Sequence, residues 1–291
     1  QSIVEKAMRE CIAVNNAASV QCIVMDVNSG AILAMADYVG YDLNNPYDTQ
    51  GLEGTHLLKL DEKQRLEEQD IVLSAENREE SLSDNSITNT NLNALWKNFC
   101  ISSTYEPGSV AKPFTVAMAL DSGAITGNEV YQCNGKLHIG GHDIHCHVRS
   151  GEGAVDVQSS IAWSCNVAMM HMGQAIGKSN FVKFQELFNF GLKTNVDLAG
   201  EARTVDLVQG MDMGDADLAT NTFGQNFNVT MIQMITGYCS LINGGYYYEP
   251  HLVDKITDYN GNVVKNIEPR VLRQTVSAAT SEKIRQYCRA V

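Results

Sequence analysis

Residues 106–113 read EPGSVAKP, and the reading of Ser109 and Lys112 within this stretch decides the rest. A helix that begins at or just before Ser109 puts the hydroxyl and the amine on one face, one turn apart, because residues three apart are neighbours on a helix. The hydroxyl then has a base. Gly108 permits a tight entry, Pro107 stops any earlier helix, and the first N–H groups of the new helix stay free to face an oxyanion. These are the parts of a serine acyl enzyme. Ser-x-x-Lys alone also describes an ordinary helix start, so a second signal is needed. It comes at Ser164-Cys165-Asn166, inside the apolar run 157–172 that reads as helical.

Ser-x-x-Lys followed by Ser-x-Asn resembles the motif order of penicillin-binding proteins and serine β-lactamases, whose third member is Lys-Thr-Gly. Further segments carry the same resemblance. Residues 20–36, VQCIVMDVNSGAILAMA, look like the paired opening strands of a penicillin-binding transpeptidase domain, with Asn28-Ser29-Gly30 as the turn. Residues 95–113 (LWKNFCISSTYEPGSVAKP) are similar to the lead-in that class B members carry before the nucleophile. Residues 190–201 (FGLKTNVDLAGE) and 222–251 (Phe-Gly-Gln, a helix, Asn-Gly-Gly, then Glu-Pro-His) resemble that class in the same order. Lys193-Thr194-Asn195 imitates the third motif, but in the family this segment lies on the helical side, so no catalytic role is assigned to it.

The resemblance implies an α+β fold of the penicillin-binding transpeptidase and serine β-lactamase type: an antiparallel sheet with a helical lobe, here lacking the C-terminal strands. Residues 1–291 are expected to form a partial transpeptidase domain, with a polar insertion at 43–94 and the nucleophile helix and helical lobe at 109–225. A return helix, a hairpin and a last helix follow over 226–291. The Lys-Thr-Gly strand is expected beyond Val291. Without it the site lacks one oxyanion donor, worth about 3 kcal/mol, so these residues alone are expected to be a poor catalyst.

Implied roles are specific. Lys112 takes the proton of Ser109, which attacks the penultimate D-alanine carbonyl of a peptidoglycan stem peptide. Ser164 relays the proton to the leaving D-alanine, and Asn166 holds the substrate amide. An amine from a neighbouring stem then closes the cross-link, whereas a β-lactam acylates Ser109 and stays. Implied partners are stem peptides ending in D-Ala-D-Ala, β-lactam antibiotics, a glycan polymerase and cell-wall assembly proteins. The implied place is the extracytoplasmic face of a bacterial membrane, with an N-terminal anchor before Gln1. The alternatives are a β-lactamase or β-lactam sensor, and a catalytically impaired scaffold of wall assembly.

Composition sets outer bounds. At 291 residues and 44% apolar content the chain can bury a large core as one domain or two lobes. A net charge of −13 argues against nucleic acid as a partner. No apolar run is long enough to span a bilayer. Residues 3–16 read as a helix with Val4, Ala7, Met8, Cys11 and Ile12 on one stripe, and residues 60–70 (LDEKQRLEEQD) as an exposed helix. Residues 81–93 read as a polar, partly disordered stretch, 229–242 as a helix, and 249–267 as a hairpin around Tyr259-Asn260-Gly261-Asn262.

Eight cysteines need an account. Cys11, Cys22 and Cys239 fall on apolar stripes and read as buried small hydrophobes; Cys165 is given no chemistry, and Cys100 and Cys288 are unassigned. Residues 133–147, CNGKLHIGGHDIHCH, are different, with two Cys, four His and one Asp. A turn at Gly140-Gly141 brings the two cysteine strands together. Three readings stay open: a structural zinc on Cys133 and Cys146 with one or two of His142, His145 and Asp143; a disulfide; or neither. A metal here would brace the loop leading to Ser164. No cofactor is expected in the chemistry itself.

Overall fold

The structure is a computed structural model that describes residues 1–17, 19–38 and 40–291. The chain divides into two compact units, residues 1–22 with 35–100 and residues 23–34 with 101–291. The fold is α+β, and its strands pair two by two. No helix among the described residues is long and apolar enough to cross a membrane.

In the first unit α1 (Ser2–Asn15) buries only Met8 of its apolar stripe, and Cys11 is exposed rather than buried as expected. An amphipathic stripe specifies a face, and it is covered only as far as a partner surface extends. Strands β1 (Val20–Met25) and β2 (Ile32–Tyr38) pair in a two-stranded sheet. Cys22, on β1, is half-buried.

Residues 60–70 are not a helix. They belong to the antiparallel pair β3 (His56–Leu60) and β4 (Leu66–Val72), which closes with Leu60 opposite Leu66. The reason is local: Asp61 Oδ1 accepts from the N–H groups of Lys63 and Arg65, each at 2.8 Å, and bends the chain back before a helix can start. After the short α2 (Arg78–Ser81), the polar stretch forms α3 (Asn85–Leu95), with Asp84 accepting from Ser86 N at its start. Asn91 is buried and exchanges two 2.9 Å hydrogen bonds with the backbone of Leu58, so a polar residue pins α3 to β3. Leu52, Leu57, Leu73, Leu82 and Leu92 form the small core beneath.

The second unit continues from α4 (Phe99–Ser102) through β5 (Thr104–Tyr105) and a 3-10 turn (Gly108–Ala111) into α5 (Lys112–Asp121). A four-strand segment follows: β6 (Val130–Cys133), β7 (Lys136–Ile139), β8 (His142–His145) and β9 (Gly153–Asp156). β7 and β8 form the hairpin expected at Gly140-Gly141, while β6 pairs with β9. Helices α6 (Val157–Ala162), α7 (Asn166–Ile176), α8 (Lys178–Leu187) and α9 (Asp215–Asn221) make up the helical lobe. Strand β10 (Val229–Thr230) pairs with β5 and leads into α10 (Met231–Ile242), whose capping box joins Thr230 and Gln233. The end of the chain holds β11 (Tyr246–Tyr248), the hairpin β12 (Lys255–Thr257) and β13 (Val263–Asn266), β14 (Val271–Gln274) paired with β11, and α11 (Ala278–Cys288).

Helix α5 is the axis of this unit. Every residue from Lys112 to Ala119 is buried, and the helix packs against α7, α11 and α10. Phe114 meets Phe188 edge-on at 4.9 Å and has Phe190 at 5.2 Å and Tyr238 at 5.7 Å. Gly237 lets α10 come this close, since a Cβ there would stand 3.1 Å from the Phe114 ring. Cys239, on the same helix, is buried as its stripe implies. Phe114→Ala is expected to lower the unfolding free energy by about 3–5 kcal/mol, measured by denaturant titration. A loss below about 1 kcal/mol would mean that this aromatic cluster is not the centre of the unit.

Candidate active site

Ser109 lies in the 3-10 turn, exposed, and Lys112 opens α5, only 2% exposed. The tight turn differs in detail from the α-helical start that the spacing predicts, yet it keeps Ser109 and Lys112 within one turn. Gly108 enters the turn at φ +60°, and its N–H donates to the Gly224 carbonyl at 2.8 Å. Gly224 (φ +84°) is pressed so closely that a Cβ there would lie 1.9 Å from the Gly108 oxygen. Asn226 N donates to Glu106 Oε1 at 2.7 Å and fixes the same two segments one step further out. The Phe-Gly-Gln segment is thus the backing of the Ser109 turn.

The run 157–172 is two helices rather than one. Between α6 and α7 the chain breaks at Ser164, a non-glycine residue at φ +58°. The N–H groups of Ser164 and Cys165 still find Ile161 and Ser160 carbonyls at 3.0 Å, so the break leaves these two donors satisfied. It aims the Ser164 side chain at α5. Lys112 Nζ donates to Ser164 Oγ at 2.7 Å and to the Ser164 carbonyl at 2.5 Å, and Ser164 Oγ donates to Ser109 Oγ at 2.8 Å. Asn166, the first residue of α7, donates from Nδ2 to the His145 carbonyl at 3.2 Å.

A pocket is lined by Gly108, Ser109, Lys112, Ser164 and Asn166 together with His147, Phe223 and Gln225. Ser109, Lys112, Ser164 and Asn166 are therefore brought to one place. Burial drives the Lys112 amine down to about 8, against the smaller opposing pull of Cys146, Cys165 and Glu152. An amine near that value is neutral in roughly a tenth of molecules at pH 7, far more than an ordinary lysine, and in that form is able to take a proton. His147 belongs to the histidine-rich stretch 133–147 but carries no motif spacing, so nothing local marks it as a lining residue.

Lys193-Thr194-Asn195 is turned to another use. Thr194 N and Oγ1 donate to Glu201 Oε1 at 2.5 and 2.7 Å, and Asn195 N donates to Glu201 Oε2 at 3.0 Å. The resemblance to a third motif hides a buried carboxylate that ties off a loop.

The expected zinc residues do not gather as the sequence suggests. His142 and His145 sit on β8 with exposed side chains, and Asp143 is held by Lys136 and by His138 at 2.8 Å. Cys133 stands opposite Gly153 of β9, not beside β8, because β6 takes β9 as its partner. Cys133 and Cys146 nevertheless meet, and their company is Glu152 and Cys165: one ligand atom from each lies within 4.8 Å of the others. All eight cysteines are free. Glu152 and Cys165 are thus neighbours that local sequence could not supply.

The penicillin binding protein transpeptidase domain family matches residues 20–291. The chain is 32% identical over 197 residues to stage V sporulation protein D of Bacillus subtilis, covering 67% of this chain and 30% of that protein. It is 27% identical over 247 residues to peptidoglycan D,D-transpeptidase FtsI of Escherichia coli, covering 85% of this chain and 34% of that one. The chain thus spans about a third of the length of these curated relatives. Among solved structures, penicillin binding protein 3 of Mycobacterium tuberculosis, complexed with aztreonam, superposes with a TM-score of 0.76 at 23% identity, over 99% of this chain and 55% of the other. A second structural neighbour, from Burkholderia ambifaria and titled a peptidoglycan glycosyltransferase, has a TM-score of 0.70 at 18% identity and covers 100% of this chain and 71% of its own.

Glu201→Gln removes the charged acceptor from three donors and is expected to lower the unfolding free energy by about 1.5–3 kcal/mol. Lys193→Ala, at an exposed position, should change it by less than about 0.5 kcal/mol. Equal effects from the two substitutions in a thermal melt would overturn the structural reading of this segment.

Proposed function

Because the chain belongs to the penicillin-binding protein transpeptidase family, we propose that it is the acylating part of a peptidoglycan D,D-transpeptidase and that Ser109 is its nucleophile. The observation that carries the proposal is the hydrogen-bonded line Lys112–Ser164–Ser109 at the mouth of the pocket. With the amine neutral the line works in reverse. Lys112 accepts from Ser164, Ser164 accepts from Ser109, and the Ser109 oxygen attacks the carbonyl of the penultimate D-alanine of a stem peptide. The proton returns along the same line, through Ser164, to the departing D-alanine nitrogen. Asn166, on the rim, offers its side-chain amide to the substrate backbone. The acyl group on Ser109 is then taken by an amine of a neighbouring stem.

A β-lactam presents the same carbonyl but keeps its leaving amine tethered, so the proposal makes Ser109 the site of a lasting penicilloyl ester. The substrate class places the work on the outer face of the cytoplasmic membrane, where stem peptides are cross-linked.

Fluorescent penicillin is expected to label the full-length protein stably, and Ser109→Ala to abolish labelling. Rapid release of the label from the wild type would favour a β-lactamase, and no labelling at all would favour a scaffold. The acylation rate should follow the neutral fraction of Lys112. It should be about half its plateau near pH 8, level off roughly a unit above that, and fall tenfold for each pH unit well below it, so that at pH 6 it is about 1% of the plateau. A rate independent of pH between 6 and 8 would remove Lys112 from the role of base.

A further inference from the structure

The Ser109 turn is tied at two points to the segment that follows α9, and one exposed residue stands between the ties. Gly108 N donates to the Gly224 carbonyl at 2.8 Å, and Asn226 N donates to Glu106 Oε1 at 2.7 Å. The residue between is Gln225, which is exposed and lines the pocket. A single hydrogen bond would leave the two segments free to pivot about it. The second, two residues away on each segment, fixes their angle, and it depends on how Asn226 is held.

Asn226 is a non-glycine residue at φ +64°, a conformation that asparagine tolerates better than most side chains do. Its Nδ2 donates to Asp217 Oδ1 at 2.7 Å, while Asp217 Oδ2 accepts from Gly214 N at 2.7 Å. Both carboxylate oxygens are occupied, and a charged acceptor makes each of these bonds stronger than a neutral pair would be. Beneath them the buried Asn221 donates from Nδ2 to the carbonyls of Asp217 at 2.9 Å, Gln225 at 3.3 Å and Asn226 at 3.4 Å. Gln209 Nε2 also reaches the Asn226 carbonyl, at 3.3 Å. Asn226 is exposed, so water would satisfy its side chain equally well and burial does not demand these partners. Their common effect is to set the turn at Gln225 firmly against α9.

We propose that Asn226 is a positioning residue for the acylation of Ser109. Through Asp217 it is anchored to α9, and through Glu106 it holds the Ser109 turn and keeps the Gln225 side chain at the pocket. This inference rests on the reading of Ser109 as nucleophile. Asn226 touches no reacting atom. The line Lys112–Ser164–Ser109 reaches the serine from α5 and from the break before α7, whereas the Glu106–Asn226–Asp217 clamp reaches its turn from α9. The serine oxygen is therefore placed from two independent directions. A displacement of about 1 Å at a reacting atom costs up to about 100-fold in rate, and the loss falls on the chemical step because the pocket still binds.

The test is the time course of acylation of the full-length protein by a fluorescent penicillin at several concentrations, which separates the dissociation constant of the first complex from the acylation rate constant. Asn226→Asp sets two carboxylates against each other and is expected to lower the rate constant about tenfold, with the dissociation constant changed less than about twofold. The double variant Asp217→Asn with Asn226→Asp again sets a donor facing an acceptor and leaves an oxygen for Gly214 N, so it should return the rate to within about threefold of the wild type. Glu106→Ala should lower the rate constant about tenfold, and Glu106→Gln, which keeps an acceptor for Asn226 N, should recover most of the loss. The Glu106 pair guards against an Asn226 variant that fails to fold, and the rate constant is read on the labelled fraction only. Equal rate constants in the wild type and the single variants, a loss carried by the dissociation constant alone, or failure of both the double variant and Glu106→Gln to recover the rate would each overturn the clamp. A wild type that takes no label overturns the reading of Ser109 and this inference with it, whereas a wild type that reacts no faster than its variants overturns this inference alone.

Discussion

The Lys112 amine is buried and hydrogen-bonded to both the carbonyl and the hydroxyl of Ser164, and the rest of the second unit depends on that contact. An amine taken out of water must lose its charge or find partners. Lys112 finds them on a stretch that belongs to no helix, and so the start of α5 is joined to the break between α6 and α7. On the other side the Phe114 cluster holds α5 in place. Core packing fixes the helix, the helix fixes the amine, and the amine sets where Ser164 points. Ser109, one turn earlier, remains open to solvent.

The part of this arrangement written in local sequence was readable. Ser109 and Lys112 are three residues apart, and the turn at Gly140-Gly141 and the hairpin around Asn260-Gly261 are signalled by residues that favour left-handed or tightly bent backbone. What was not readable depends on partners distant in sequence. Residues 60–70 carry charges that fit either a helix or an exposed hairpin, and the deciding groups are the Asp61 carboxylate and the pairing with β3. The polar stretch before Leu95 looks unable to make a core, but Asn91 satisfies the backbone of Leu58 and becomes part of one. The metal question shows the same divide. Cys133 and Cys146 were visible as a pair, whereas Glu152 and Cys165 join them only because β6 takes β9 as partner and α7 begins where it does.

Ser164 shows why helical periodicity could not find its own interruption. Apolar residues continue on both sides of it, so the run 157–172 looks like one helix. A positive φ at a serine is uncommon and costs free energy, and it persists where the surroundings over-determine it. Here the Lys112 hydrogen bonds on one side and the Cys165 backbone bond to Ser160 on the other do so. Consistent local preference gives way at the one residue that must reach across the pocket.

The contact between Gly224 and Gly108 bears on how such a chain can drift over generations. Gly224 is closed by contact, since its missing side chain is the space the Gly108 oxygen occupies; Gly108 is closed by its backbone angle. Random replacement at either position moves the floor under Ser109 before it touches any side chain of the pocket. Change in the shape of the pocket is therefore directed around this pair, to exposed lining positions such as Gln225 or His147, whereas Phe223 is held in the core.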